Sequence, residues 1–466
     1  MNLMEGLVTF ENGLTPTPAL ARSWNISPDG KTYTFHLRTD VKWSDGVPLK
    51  AQDFVYSWKR LLAPFTGAAY SYILYDIVGA EDFSRGRDPD FSKVGISAPD
   101  ASTFVVKLKY PLSYWIDILA FWVTFPLRQD IVEKHGNSWA TPGRMVTLGP
   151  YCLVSHDTDS NVILRKNVFY YGHTGNVDRV TALMIKDDTV ALQMYESGKL
   201  DFVSDLAAVD LKKLAERKDL RRFENLKTGY ITFLPDRFPV SNIHLRKAIA
   251  QGLNKQALVK SLYGGQVPAT SFVPPPMMGY SKKIGLPFDL KKARSERELA
   301  GLVGQGMPIN LDFIYPNWDK DRIIAEFIRD ELKRNLNIDV QLRGFDNQTF
   351  RNQLDLKINP VYSITWTADF PDPHNFLSVF QSTSGNGRTS WVSESYDQAV
   401  AAAQISRDPA TRAKTYFDLQ KQLIEDEVVI IPLYYEPNLA LVNPRVNGFQ
   451  LSAMDYLYLR NVNVRP

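Results

Sequence analysis

From Val361 to Thr367 the chain alternates, with Tyr362, Ile364 and Trp366 on one face and Ser363, Thr365 and Thr367 on the other. β-Branched and aromatic residues at period two predict a strand. The same period returns at Tyr33, Phe35 and Leu37, at Phe104, Val106 and Leu108, at Val162 and Leu164, at Ile309, Leu311 and Phe313, and at Ile338, Val340 and Leu342. Leu7–Phe10 is a short apolar stretch, and Val428–Tyr435 reads as an apolar strand. Helical spacing takes over elsewhere. Phe54, Val55, Trp58 and Leu62 share a face after Ala51, and Leu245, Ile249 and Leu253 share one in a helix predicted over 245–258. Ile323, Ile324, Phe327, Ile328 and Leu332 trace a third helix, and 410–425 holds a fourth. A strand followed by a helix is predicted within 178–200, closing near Gly198.

Turn chemistry punctuates these elements at Ser27–Gly30, Trp43–Gly46 and Pro235–Pro239, with an exposed loop expected at Pro274–Pro276. Leu148–Tyr151 reads as a hinge or crossover. The charge run 291–297 reads as the solvated side of a helix. The aromatic run Tyr114–Phe125 is expected to be core, with part of it available to a cleft. The strand, helix and strand over 309–342 form a βαβ unit, which closes right-handed on a parallel pair. The Val361 strand follows soon after, so its carboxyl end should face a ligand crevice.

Length changes this picture by requiring more than one core: 466 residues point to two or three domains. Charge adds little. The 54 basic and 51 acidic side chains leave a net +3, which gives no electrostatic case for nucleic acid as a partner. A single cysteine, Cys152, excludes an internal disulfide and any multi-cysteine metal or redox motif. No apolar run is long enough to span a bilayer. The start, MNLMEGLVTFENG, has neither a basic segment nor an apolar one of export-signal type.

Catalytic motifs are missing. The six histidines, at 36, 135, 156, 173, 244 and 374, show no paired-ligand spacing. There is no G-x-S-x-G elbow, no phosphate-cradling G-x-x-x-x-G-K-[ST], and no G-x-G-x-x-G following a strand. The glycine-rich segment 301–306 is better explained as a helix end. Neither a catalytic residue, a metal site nor a cofactor is expected. Asp369, just past the Val361 strand, has two readings. Asp-Phe-Pro-Asp-Pro is good turn chemistry, with Asp372 as an N-cap and Pro373 at the first helical position. The second reading is that an acid two positions beyond Thr367, and close to Trp366, receives a cationic group.

Several longer patterns fall in one order: ALARSW (19–24), YTFHLR (33–38), KWSDG (42–46), DFVYSW (53–58), NVFY (167–170), LRKAI (245–249), WTADF (366–370) and IPLYY (431–435). In these the chain resembles the oligopeptide/dipeptide-binding proteins of ABC importers, family 5 (cluster C) of the extracellular solute-binding proteins, across nearly its whole length. The resemblance implies an α/β, two-lobed periplasmic-binding-protein fold (type II) with an extra α/β domain inserted in lobe I. Residues 1–17, 148–250 and 437–466 would build lobe I, 18–147 the extra domain and 251–436 lobe II. The implied partners are a short peptide, closed on by the two lobes, and an inner-membrane ABC permease. The protein would be a periplasmic or cell-surface monomer, without nucleic acid.

The resemblance also assigns roles. Asp369 would take the peptide's α-ammonium. The strand before it, with Thr365, Thr367 and Trp366, and the segment Glu5, Gly6 and Leu7 would pair with the peptide backbone, a form of β-augmentation. Departures from the family pattern are equally specific. Ser363 and Leu354 stand where peptide-binding relatives carry arginines, Asn347 where they carry a tryptophan, and Leu234-Pro235 where they carry an asparagine pair. Recognition of the far end of the peptide, and even the cargo class, is expected to differ; a metal chelate, oligosaccharide or cell-wall peptide is the alternative. Relatives also have a first strand and an export signal ahead of the segment that aligns with Met1, so both are expected to have preceded it.

Overall fold

The computed structural model describes residues 1–10, 13–204, 206, 210–302, 304, 307–384 and 386–465. The chain divides into two compact units, one of Met1–Val203 with Leu441–Pro466 and one of Ser204–Ala440.

In the first unit, alternation at Tyr33, Phe35 and Leu37 produces the strand Thr32–Leu37, which buries all three side chains. It lies in a four-stranded antiparallel sheet between Ala21–Ile26 and Thr103–Lys107, with Ile96–Ser97 at the edge. Helix Ala51–Leu62 presents Phe54, Trp58 and Leu62 to this core. The Trp58 ring meets Phe104 edge-on at 5.0 Å, and its Nε1–H donates to Thr124 O at 2.8 Å. The run 114–125 is core as expected, with Tyr114, Trp115 and Phe121 buried, but Trp122 is half exposed. A three-stranded antiparallel sheet, Tyr151–Asp157, Asn161–Lys166 and Arg179–Leu183, completes the central part.

Gly149 marks a close approach of backbones. Leu148 and Gly149 donate to Leu3 O, Tyr151 donates to Asn2 O, and a Cβ on Gly149 would lie 2.6 Å from Asn2 O. Asn2 also bonds the last segment, donating to Leu457 O at 2.8 Å and accepting from Leu459 N–H at 2.9 Å. The amino-terminal, 148–151 and carboxy-terminal segments thus meet around one asparagine.

The second unit holds a six-stranded mixed sheet in the order Val267–Pro268, Ile430–Tyr435, Lys227–Phe233, Val361–Thr367, Ile309–Pro316, Ile338–Phe345. The predicted parallel pair is present, from Ile309 opposite Ile338 to Pro316 opposite Phe345. Residues 204–250 group with this unit rather than with the first, because Lys227–Phe233 is a central strand of its sheet. One face packs Ile231, Phe233, Val361 and Phe313 against helices Ile243–Gly252, Leu290–Ala300 and Asp319–Leu336. Period two sends Tyr230 to the other face, against Phe272 and Phe380.

Three expectations are corrected in detail. The helix predicted over 245–258 is two helices, Ile243–Gly252 and Lys255–Leu262, because Asn254 caps the second by accepting from Ala257 N–H at 3.0 Å. The strand expected from Val428 begins at Ile430, with Val428 at a φ of 43°. Pro274 is buried, so only Pro275 and Pro276 of the proline run are exposed. Gly301 is the left-handed C-cap of helix Leu290–Ala300, as its helix-end reading requires; Val303, Gln305 and Gly306 lie outside the described residues.

Candidate ligand-binding site

The strand Val361–Thr367 is paired along its full length on one side, antiparallel to Lys227–Phe233, from Val361 opposite Phe233 to Thr367 opposite Lys227. On its other side the parallel neighbour Ile309–Pro316 pairs only at Phe313–Val361 and Ile314–Tyr362. From Ser363 to Thr367 that edge has no strand partner among the described residues. The carboxyl ends of two parallel strands part here, as they do at the ligand crevices of open α/β sheets.

Tyr362 and Ile364 anchor the strand in a small cluster with Ile314, Phe350 and Leu354, and Tyr362 Oη–H donates to Arg388 O at 2.8 Å. Ser363 faces the opposite way, buried, with its hydroxyl unpartnered among the described residues. Thr365, Trp366 and Thr367 are half-buried.

Asp369 follows two residues on, also half-buried. One residue holds it in place. Asn375 Oδ1 accepts from the Asp369 N–H at 3.0 Å and from Trp366 Nε1–H at 3.1 Å, while its Nδ2 donates to Asp369 Oδ2 at 3.3 Å. Burial pushes the Asp369 carboxyl up to about 6, and the Asn375 amide opposes that only in part. No basic side chain pairs with Asp369 among the described residues, so the carboxylate is desolvated without a counter-charge.

The turn that carries Asn375 is locked separately. Asp372 accepts from His374 N–H at 2.8 Å as the N-cap of helix Pro373–Leu377 and takes a two-point ion pair from Arg412, at 2.6 and 2.8 Å. Arg412 also donates to Ala403 O and to Tyr416 Oη, so a residue 40 positions away fixes the turn. Asp372 thus makes the turn, as its N-cap reading requires, and Asp369 lies just before it with Asn375 as its side-chain partner. Asn375 was not singled out in the sequence. Its only signal was its position on the first turn after Asp372-Pro373, where an amide can reach back toward the strand end.

The other predicted residues, Glu5, Gly6 and Leu7, lie in the first unit, and all three are buried. Glu5 is engaged internally. Tyr170 and Tyr171 hydroxyls donate to its two oxygens at 2.6 and 2.8 Å, and Arg460 donates at 3.0 Å. Burial and the Glu5 charge together push both tyrosines above the ordinary phenol range. The carbonyl of Gly6 accepts from Leu20 N–H and that of Leu7 from Ala19 and Ala21 N–H. A Cβ on Gly6 would lie 2.6 Å from both Leu119 O and the Phe125 ring, so only glycine fits.

Among the described residues no cluster of histidine, cysteine and acidic side chains is arranged to hold a metal, and no helix is long and apolar enough to cross a membrane.

Residues 15–388 match the model of the bacterial extracellular solute-binding proteins, family 5 Middle. The chain is 29% identical to the periplasmic oligopeptide-binding protein OppA of Salmonella typhimurium, over 99% of this chain and 87% of that protein. It is 28% identical to the probable deoxycholate-binding periplasmic protein YgiS of Escherichia coli, over 100% and 88%. Among solved structures it resembles Haemophilus influenzae OppA in complex with RPPGFSPFR, with a TM-score of 0.87, 28% identity and coverage of 99% and 93%. It also resembles a periplasmic oligopeptide-binding protein of Borrelia burgdorferi, with a TM-score of 0.90, 28% identity and coverage of 100% and 94%.

Proposed function

The chain belongs to the bacterial extracellular solute-binding proteins of family 5, and from that premise we propose that it captures short peptides outside the cytoplasm and delivers them to an inner-membrane ABC permease. Its role is non-catalytic and it works as a monomer. The observation that carries the reading is Asp369: a desolvated carboxylate without a counter-charge, two residues beyond a strand whose edge is open from Ser363 to Thr367.

A peptide running along that edge would pair its backbone with Ser363–Thr367 and present its α-ammonium to Asp369. Main-chain bonds read no sequence, so affinity would be broad. The ammonium restores the missing charge, and a desolvated, hydrogen-bonded ion pair is worth most where water is excluded. Trp366 and Asn375 hold the acid in position, while Thr365 and Thr367 offer hydroxyls beside the edge. For Glu5, Gly6 and Leu7 the proposed part in binding runs through main-chain groups, because the Glu5 carboxylate has its own partners. Within the first unit, residues 18–147 act as the extra domain, an assignment supported by their separate sheet and aromatic core.

A second reading keeps the fold and changes the cargo to a non-peptide. It rests on Ser363 and Leu354, which offer no cation for a peptide carboxylate, and on the likeness to a relative described as binding deoxycholate. Native mass spectrometry on protein purified without denaturation separates the two. A ladder of short peptides is expected; a single non-peptide mass would overturn the peptide reading. Added peptides should also raise the melting temperature of wild type by RT ln(1 + [L]/Kd) and raise that of Asp369→Asn much less.

A further inference from the structure

The aromatic run 114–125 is mostly core, yet it carries one feature that core packing does not explain. Trp122 is 53% exposed and Tyr72 is 37% exposed, and both rings lie against Tyr70, which is half-buried. Single exposed hydrophobic residues are ordinary on a protein surface. Three aromatic rings in contact, all open to solvent, are not.

Trp122 stands on a pinned backbone. It opens the short turn Trp122–Thr124, where the Thr124 hydroxyl donates to Phe121 O at 2.9 Å and Thr124 O accepts from Trp58 Nε1–H at 2.8 Å. Ser57 Oγ–H donates to Phe125 O at 2.6 Å, so helix Ala51–Leu62 holds the turn twice. Phe121 is buried and links the rings from within, 5.2 Å from Tyr70 and 5.5 Å from Trp122. An apolar side chain presented on backbone this firmly held loses little further freedom when a partner covers it.

The rings form a corner. Tyr70 and Tyr72 are stacked, 5.8 Å apart and inclined by 26°, whereas Trp122 is 6.1 Å from Tyr70 and turned by 66°. A ring entering such a corner meets one neighbour face-on and another edge-on, the two arrangements that aromatic pairs prefer. A cation would also find ring faces there, but in contact with water that attraction is weak, while covering apolar area is favourable. The corner also borders the segment proposed to meet the peptide backbone. The Cβ that Gly6 lacks would lie 2.6 Å from both Leu119 O and the Phe125 ring, which flank Trp122 in the chain.

We propose that Trp122, Tyr70 and Tyr72 form a subsite on the extra domain for an aromatic side chain of the bound cargo. The subsite rests on the peptide-binding reading and gives an otherwise sequence-blind site one aromatic preference.

The test uses the full chain and alanine-based peptides with a single phenylalanine moved along the sequence. At one position phenylalanine should bind at least about fivefold tighter than alanine, as an aromatic contact plus buried area implies. Cyclohexylalanine, which is apolar but lacks π electrons, should bind more weakly than phenylalanine there. Trp122→Ala should bring the phenylalanine-to-alanine ratio to about one while leaving the all-alanine peptide's Kd within about twofold. Tyr72→Ala should reduce the same ratio, and it carries the comparison alone if Trp122→Ala melts at a much lower temperature than wild type. Equal binding of phenylalanine and alanine peptides at every position overturns the subsite but not the peptide reading, and this comparison needs no variant. A lysine preference at the position, cyclohexylalanine binding as tightly as phenylalanine, or a phenylalanine preference that survives both variants overturns the subsite in the same way. Failure of every peptide to bind overturns both.

Discussion

Asn375 grips Asp369 at two points, accepting its main-chain N–H at 3.0 Å and donating to its carboxylate at 3.3 Å. The grip orients the acid but leaves its charge uncompensated. A carboxyl held at about 6 in the folded protein, against an ordinary 3.8, binds its proton more tightly folded than unfolded. The stability this group contributes is fully present below about 3.8 and is lost as the pH rises through about 6. Ligand-free Asp369→Asn should therefore be more stable than wild type above pH 6 and lose that advantage toward pH 3.8, as read from thermal melts across the range. Peptide binding should run the other way. An ammonium needs the ionised acid, so affinity should weaken toward about tenfold per pH unit below 6, and an N-acetylated peptide should show no such slope.

Arg412 holds the Asp372 turn from a buried position. Arg412→Met leaves Asp372 buried and unpaired, which should destabilise the protein by about 3–5 kcal/mol in chemical denaturation. Asp372→Asn combined with Arg412→Met removes both charges and should recover much of that loss. If the single and double variants lose the same stability, the ion pair is not what holds the turn.

Glu5 is expected to matter for structure rather than for the ligand's charge. Glu5→Gln leaves Arg460 without its carboxylate and should lower the melting temperature with and without peptide. The peptide-induced rise should persist. A rise abolished in Glu5→Gln but kept in Asp369→Asn would exchange the roles of the two acids.

Gly229 lies opposite Thr365 in the sheet, and an added Cβ would come within 2.3 Å of the buried Tyr434 ring. Neither the central strand nor the ring can move freely, so Gly229→Ala should cost about 1–3 kcal/mol of stability. An unchanged denaturation midpoint would show that Tyr434 has room to shift.

What the sequence disclosed depended on range. Period two at Tyr362, Ile364 and Trp366 and helical spacing at Ile324, Ile328 and Leu332 are local signals, and the strand, the βαβ unit and its parallel pair followed from them. Asp369 drew notice as a candidate because strand, acid and proline turn are consecutive. Its surroundings were not. Arg412 meets Asp372 across 40 residues, Lys320 meets Glu436 across 116, and Arg460 meets Glu5 across 455. No periodicity reports such pairings, because each partner alone reads as an ordinary surface charge. The helix break at Asn254 was missed for a different reason: the apolar spacing of Ile249 and Leu253 continues through a side-chain cap that interrupts the backbone.

The half-paired strand Val361–Thr367 separates two properties that most recognition surfaces combine. Backbone amides along Ser363–Thr367 would bind almost any extended chain with similar strength, whereas discrimination would reside in a few charged side chains beyond the ladder. Tolerance and selectivity would then be adjustable one at a time. Changing those side chains should redirect which cargo is preferred without rebuilding the docking rail, so this unit is a natural starting point for re-engineered capture.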